Sequence, residues 1–114
     1  MEPAEPKQVE IYVAANGDAP YEKWYSKLRD RRTRAVIANR INRIRLGNLG
    51  CTRTVGDGVF ELKIDYGPGY RVYFADATST IVLLLGGGDK SSQSSDIKEA
   101  KRSWKDYTDR SEPI

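Results

Sequence analysis

The chain's 114 residues are 39% hydrophobic and 31% charged, with 19 Lys/Arg against 16 Asp/Glu, one Cys and no His. Such a length and composition describe a single globular domain spanning 1–114, and they exclude an intramolecular disulfide, a Ser-His-Asp triad and the usual His-bearing zinc sites. No apolar run approaches the roughly 18 residues of a membrane span, and Met1 to Lys7, with two prolines, has no signal-peptide core. The expectation is therefore a reducing cytoplasmic setting, with no membrane, metal or cofactor.

Residues 1–7 are expected to be a flexible lead-in. Val9, Ile11 and Val13 alternate with Glu10 and Tyr12, which predicts a short strand. Asn16-Gly17-Asp18 closes it, and Pro20 suits the first turn of a helix whose stripe of Tyr21, Trp24, Tyr25 and Leu28 runs to about Arg29. Asp30 can cap a second helix, in which Ile37, Ile41 and Ile44 follow the i, i+4, i+7 spacing of a buried face. Arg34, Arg40, Arg43 and Arg45 lie mostly off that stripe, and Gly47 and Gly50 end the helix. Cys51 has no His to activate it and is read as a small structural residue.

From Arg53 the period falls to two. Arg53 to Val55 makes a short strand before the Gly56-Asp57-Gly58 turn. Val59 to Tyr66 follows with Phe60, Leu62, Ile64 and Tyr66 on one face. Gly67-Pro68-Gly69 reverses the chain into Tyr70 to Ala75, and Ile81 to Leu85 reads as a strand covered on both faces and ended by Gly86-Gly87-Gly88. Ser94 to Tyr107 is a closing helix, with 108–114 expected to fray. The order β-α-α-β-β-β-β-α is that of an α+β fold, a small antiparallel-rich sheet packed by an N-terminal helical hairpin and a C-terminal helix.

Two features bear on function. Between Lys23 and Arg53 lie ten of the 19 basic residues and one of the 16 acidic ones, a polarised surface suited to a phosphate backbone or an acidic partner, or else a solvated helical face. On the sheet, parity places Glu61, Lys63, Asp65, Arg71 and Tyr73 on one face. Folding symmetrically about Pro68 would set Lys63 opposite Tyr73 and Asp65 opposite Arg71. Lys and Arg there can hold a phosphate, and Tyr73 can stack on a base. The competing reading makes Asp65–Arg71 and Glu61–Lys63 surface ion pairs worth about 0–1 kcal/mol each. The Gly86–Lys90 segment is a candidate anion nest.

Three stretches in order, Val55–Ile64, Tyr66–Phe74 and Leu83–Gln93 (followed by Asp96-Ile97 and Ala100), resemble the phage-derived, HigB-like addiction-module killer proteins of the RelE/ParE superfamily. The resemblance covers residues 9 to 107. It implies the toxin of a type II toxin–antitoxin pair that cleaves mRNA on the ribosome, the RNA 2′-hydroxyl attacking the adjacent phosphate. By position, Lys63 matches the residue that positions or deprotonates the 2′-hydroxyl, Arg71 the clamp on the scissile phosphate, and Lys90 a phosphate ligand or proton donor. Tyr73 and Gln93 fall where base contacts are expected, and Arg31, Arg32, Arg40 and Arg43 make a surface for ribosomal RNA or the antitoxin. The expected partners are a helix-turn-helix antitoxin, the ribosome and mRNA. Gly86 stands where relatives often carry Cys. Members of the ParE branch inhibit DNA gyrase on the same scaffold without cleaving RNA, so that activity is the alternative.

Overall fold

In a computed structural model, which describes residues 5–111, the chain forms β1 (Gln8–Ile11), α1 (Pro20–Ser26), α2 (Arg31–Arg45), β2 (Thr52–Gly56), β3 (Val59–Ile64), β4 (Tyr70–Asp76), β5 (Ile81–Asp89), a 3₁₀ turn (Lys90–Ser92) and α3 (Gln93–Ser111). The strands make one sheet in the order β1-β5-β4-β3-β2, antiparallel from β2 to β5 with β1 parallel to β5. This is the α+β architecture expected from the order of elements.

The sheet is covered on both faces. Ile37, Ile41 and Ile44 of α2 and Tyr21 of α1 pack against Leu62, Ile64, Val72, Phe74, Val82 and Leu84. Ala100 of α3, flanked by Ile97, Trp104 and Tyr107, packs on the other face against Val59, Tyr73, Ala75, Leu83 and Leu85. The two helices of the hairpin meet where Asp30 caps α2, accepting from Arg32 N at 3.4 Å and Thr33 Oγ1 at 2.8 Å. α1 stops at Ser26, short of Arg29, because Lys27 N and Leu28 N bond back to Trp24 O and Tyr25 O in a tightened last turn.

Double coverage explains several departures from the sequence reading. At the end of edge strand β1 and just beyond it, Ile11 and Val13 are exposed whereas Tyr12 is buried in the core under α3. In the central strands, with a helix layer on each side, alternation sorts side chains between two cores rather than between core and solvent. β5 does not end at its glycines. Gly86, Gly87 and Gly88 lie opposite Tyr73, Val72 and Arg71, and none of the three has positive φ. Gly87 and Gly88 are small because helices approach closely: a Cβ on Gly87 would stand 2.2 Å from Trp24 Cε3, and one on Gly88 1.9 Å from Asp96 Oδ2, whereas one on Gly86 would meet nothing within 4 Å. All three are strand residues paired with β4, and in a strand successive N–H groups point to alternate sides, so they do not converge as an anion nest requires.

A bulge between Tyr73 and Phe74 pairs them with Gly86 and Leu84, leaving Leu85 as the additional residue. Strand β3 ends at Ile64, two residues before Tyr66, and the five-residue connection 65–69 bends through Gly67 (φ 56°) and Gly69 (φ 86°). At the C-terminus α3 continues to Ser111, so 108–111 are helical rather than frayed. Its last turns are held to β1 by Tyr12 Oη donating to Asp106 and by Arg110 Nη2 donating to Val13 O at 2.9 Å. Lys7 is also anchored, through its backbone to Arg45 O and its Nζ to Ser79 O. Residues 1–4 and 112–114 of the expected flexible ends lie outside the described residues. Among the described residues no helix is long and apolar enough to cross a membrane.

Candidate functional site

The β3–β4 register sets the site. Lys63 lies opposite Arg71 and Glu61 opposite Tyr73, one step of two residues away from the pairing expected by symmetry about Pro68. The turn centres on Gly67 instead, and parity survives the shift. Across the sheet Arg71 faces Gly88, so Lys63, Arg71 and Gly88 form one row, and Lys90 begins the 3₁₀ turn just beyond it. Lys63, Arg71 and Lys90 line a single open cleft of about 340 Å³, together with Asp65, Tyr66 and the Gly67-Pro68-Gly69 turn. The three residues chosen for catalysis therefore converge. Like charges set directly opposite each other in a sheet are destabilising, and here each cation has a carboxylate beside it, Asp65 3.7 Å from Lys63 and Glu61 3.8 Å from Arg71.

Behind the cleft is a buried polar network. Glu61 is 2% exposed and Arg71 8%. Glu61 Oε1 accepts from Arg53 Nε at 2.9 Å, and Oε2 accepts from Gln93 Nε2 at 2.9 Å. Arg71 Nε lies 3.8 Å from Glu61 Oε1, near enough for charge attraction but too long for a hydrogen bond. Arg71 Nε and Nη1 and the Tyr73 hydroxyl are buried without a hydrogen-bond partner. An unmet buried donor costs about 1–3 kcal/mol, more on a charged group. Burial pushes the Glu61 carboxyl up, but hydrogen bonds from Arg53 and Gln93 and the Arg53 charge outweigh it and hold it below its ordinary value. Burial, with Glu61 and Asp96 nearby, pushes the Tyr73 phenol well up, so it stays neutral.

These contacts correct two sequence assignments. Tyr73 is fully buried under α3 and has no ring face to offer a base. Gln93 spends its amide on Glu61, tying the start of α3 to β3 instead of reaching outward. The expected surface pairs are also replaced. Asp65 pairs with Lys63 at 3.7 Å, both exposed, and Glu61 pairs with Arg53 and Arg71. The basic residues Arg31, Arg32, Arg40 and Arg43 sit on α2, which covers the opposite face of the sheet, so they form a second surface and do not join the cleft. Arg40 lies over the turn after α2, its Nη2 2.8 Å from where a Gly50 Cβ would be.

Two participants were missed. Glu61 belonged to the polar face by parity, but burial of that face under α3 is a tertiary property. Tyr66 was read as the last inward residue of β3. It packs on the hairpin-side core and also lines the cleft. Beside Lys90, the Asp89 carboxyl caps the 3₁₀ turn, accepting from Ser91 N at 2.8 Å, and hydrogen bonds from Ser91 lower its pKa. Cys51 is exposed and unpaired. Among the described residues no group of three or more His, Cys, Asp or Glu is placed to hold a metal ion.

No family model matches the chain. A Haemophilus influenzae protein described as uncharacterized is 51% identical to it over 81 residues, a stretch covering 71% of this chain and 82% of that protein.

Proposed function

For a chain that belongs to the same family as this Haemophilus influenzae protein, we propose the activity of a RelE/ParE-type toxin that cleaves mRNA on the ribosome. The observation that carries the reading is Arg71. It is 8% exposed and lies directly opposite Lys63 in a cleft that Lys90 completes, so three cations converge on one opening. Glu61 at 3.8 Å offsets part of this concentration of cations, and a phosphate bound in the cleft would offset the rest.

The chemistry asked of the site is electrostatic. The 2′-oxygen of the RNA bonds to the adjacent phosphorus while the bond from phosphorus to the 5′-oxygen breaks. The 2′ proton passes to solvent water during attack, and the departing 5′-oxygen takes one up from Lys90. Arg71 and Lys90 offset the charge that gathers on the phosphoryl oxygens, and Lys63, exposed at the cleft wall, reaches the 2′-oxygen. With no His in the chain, positioning and charge stabilisation do most of the work, which suits an enzyme that depends on the ribosome to present its substrate.

The same reading gives a cytoplasmic protein whose natural partner is a helix-turn-helix antitoxin, with the α2 arginines as the surface for that acidic partner or for ribosomal RNA. The test is expression of Lys63→Ala, Arg71→Ala and Lys90→Ala singly, scored by growth arrest and by mapping new RNA 5′ ends. Each is expected to lose cleavage at least tenfold. Arrest by the unaltered protein without new RNA ends refutes the proposal, and gyrase-linked DNA breaks in its place would establish the ParE-like alternative.

A further inference from the structure

The cleft is larger than a phosphate requires. Its volume of about 340 Å³ lies within the roughly 300–1,000 Å³ that organic ligands occupy. Its cations stand at Lys63, Arg71 and Lys90, and the turn that edges it is Gly67-Pro68-Gly69. Both glycines have positive φ, which disfavours any side chain there and keeps that wall low. Tyr66 is the aromatic residue in the lining, followed directly by this low wall. It is half-buried and packed against the hairpin-side core, so its ring is held in place before a ligand arrives. An aromatic ring beside a cationic phosphate site is the combination that single-stranded nucleic acid binders use, because every base offers a face to stack on.

We propose that Tyr66 forms a nucleobase subsite of the cleft, stacking on a base next to the phosphate held by Arg71, Lys63 and Lys90. This rests on the anion-site reading above and assigns to Tyr66 the base contact that buried Tyr73 cannot make. Stacking is tolerant of base identity, so the subsite adds affinity for single-stranded RNA without a strong sequence preference.

The test compares two probes by NMR titration and calorimetry: inorganic pyrophosphate, and the dinucleotide ApA carrying 2′-O-methyl groups, which cannot undergo 2′ attack. Tyr66→Leu is expected to weaken the dinucleotide about tenfold and pyrophosphate less than twofold, and Tyr66→Phe to bind both as the natural protein does. In the natural protein, the Tyr66 ring resonances should shift with the dinucleotide and not with pyrophosphate, a readout that holds even if Tyr66→Leu folds poorly. The subsite is overturned if those resonances stay still, or if a folded Tyr66→Leu weakens both probes equally or neither. Unchanged binding of both probes by Lys63→Ala and Arg71→Ala would instead overturn the anion site itself.

Discussion

Replacing Glu61 by leucine takes away the carboxylate 3.8 Å from Arg71 Nε and leaves a guanidinium that is 8% exposed without that counter-charge. Removing one partner of a buried ion pair costs about 3–5 kcal/mol. The Arg53 side of the network adds little, since that side chain is 61% exposed and water screens it. Arg71 keeps a margin of cleft surface, which places the expected loss at the lower end, about 3 kcal/mol. At about 4–8 °C per kcal/mol for a domain near this size, the thermal midpoint should fall by roughly 15 °C. Glu61→Gln keeps the shape and loses the charge, and about 2 kcal/mol is expected. The discriminating variant is Glu61→Leu with Arg71→Met. Replacing both charges by apolar groups should return stability to within about 1 kcal/mol of the natural protein. Urea unfolding at neutral pH, followed by circular dichroism, measures all three. A loss under about 1 kcal/mol in Glu61→Leu, or a double variant no more stable than the single one, would refute the argument that this pair is energetically buried.

The same carboxyl has a pH signature. Its folded pKa is depressed, so its contribution is complete above the ordinary carboxylate value of about 4.3 and is lost as pH falls through the lower folded value. Urea unfolding at pH 6, 4 and 3 should therefore show a smaller acid loss in Glu61→Gln than in the natural protein. The β5 glycines should separate cleanly in thermal unfolding. Gly86→Ala meets nothing within 4 Å and should be neutral or raise stability by about 0.5 kcal/mol, whereas Gly87→Ala drives a methyl into the Trp24 ring and should cost about 2 kcal/mol or more. Tyr12→Phe removes the hydroxyl that donates to Asp106 and should cost about 1–2 kcal/mol, with hydrogen exchange rising first in the last two turns of α3.

Element order, the Ile37–Ile41–Ile44 face and the Asp30 cap were legible in the sequence because each follows from local periodicity or local hydrogen bonding. The convergence of Lys63, Arg71 and Lys90 was also legible, since parity and the motif order survive an error in turn register. What escaped was everything that depends on the second helix layer. Tyr73 alternates with Val72 and Phe74 as a solvent-facing residue would, yet α3 closes over it. Gln93 precedes a helix as a free polar residue would, yet its partner lies 32 positions earlier. Glycine at 86–88 carries the same letter whether it ends a strand or clears space for Trp24 and Asp96, and only the packing distinguishes the two.

The additional residue in β5 resets the phase of the strand. Up to Leu85 the odd positions face α3; beyond it, Gly86 and Gly88 do, and Gly87 turns toward Trp24. Loss of Leu85 would close the bulge: Leu84 and Gly86 would follow one another opposite Phe74 and Tyr73, and every later residue would keep its face. The apolar run and the glycine stretch that follows it thus run in different numerical phase on one strand, and Leu85 is slack between them that could be drawn out without re-aiming either.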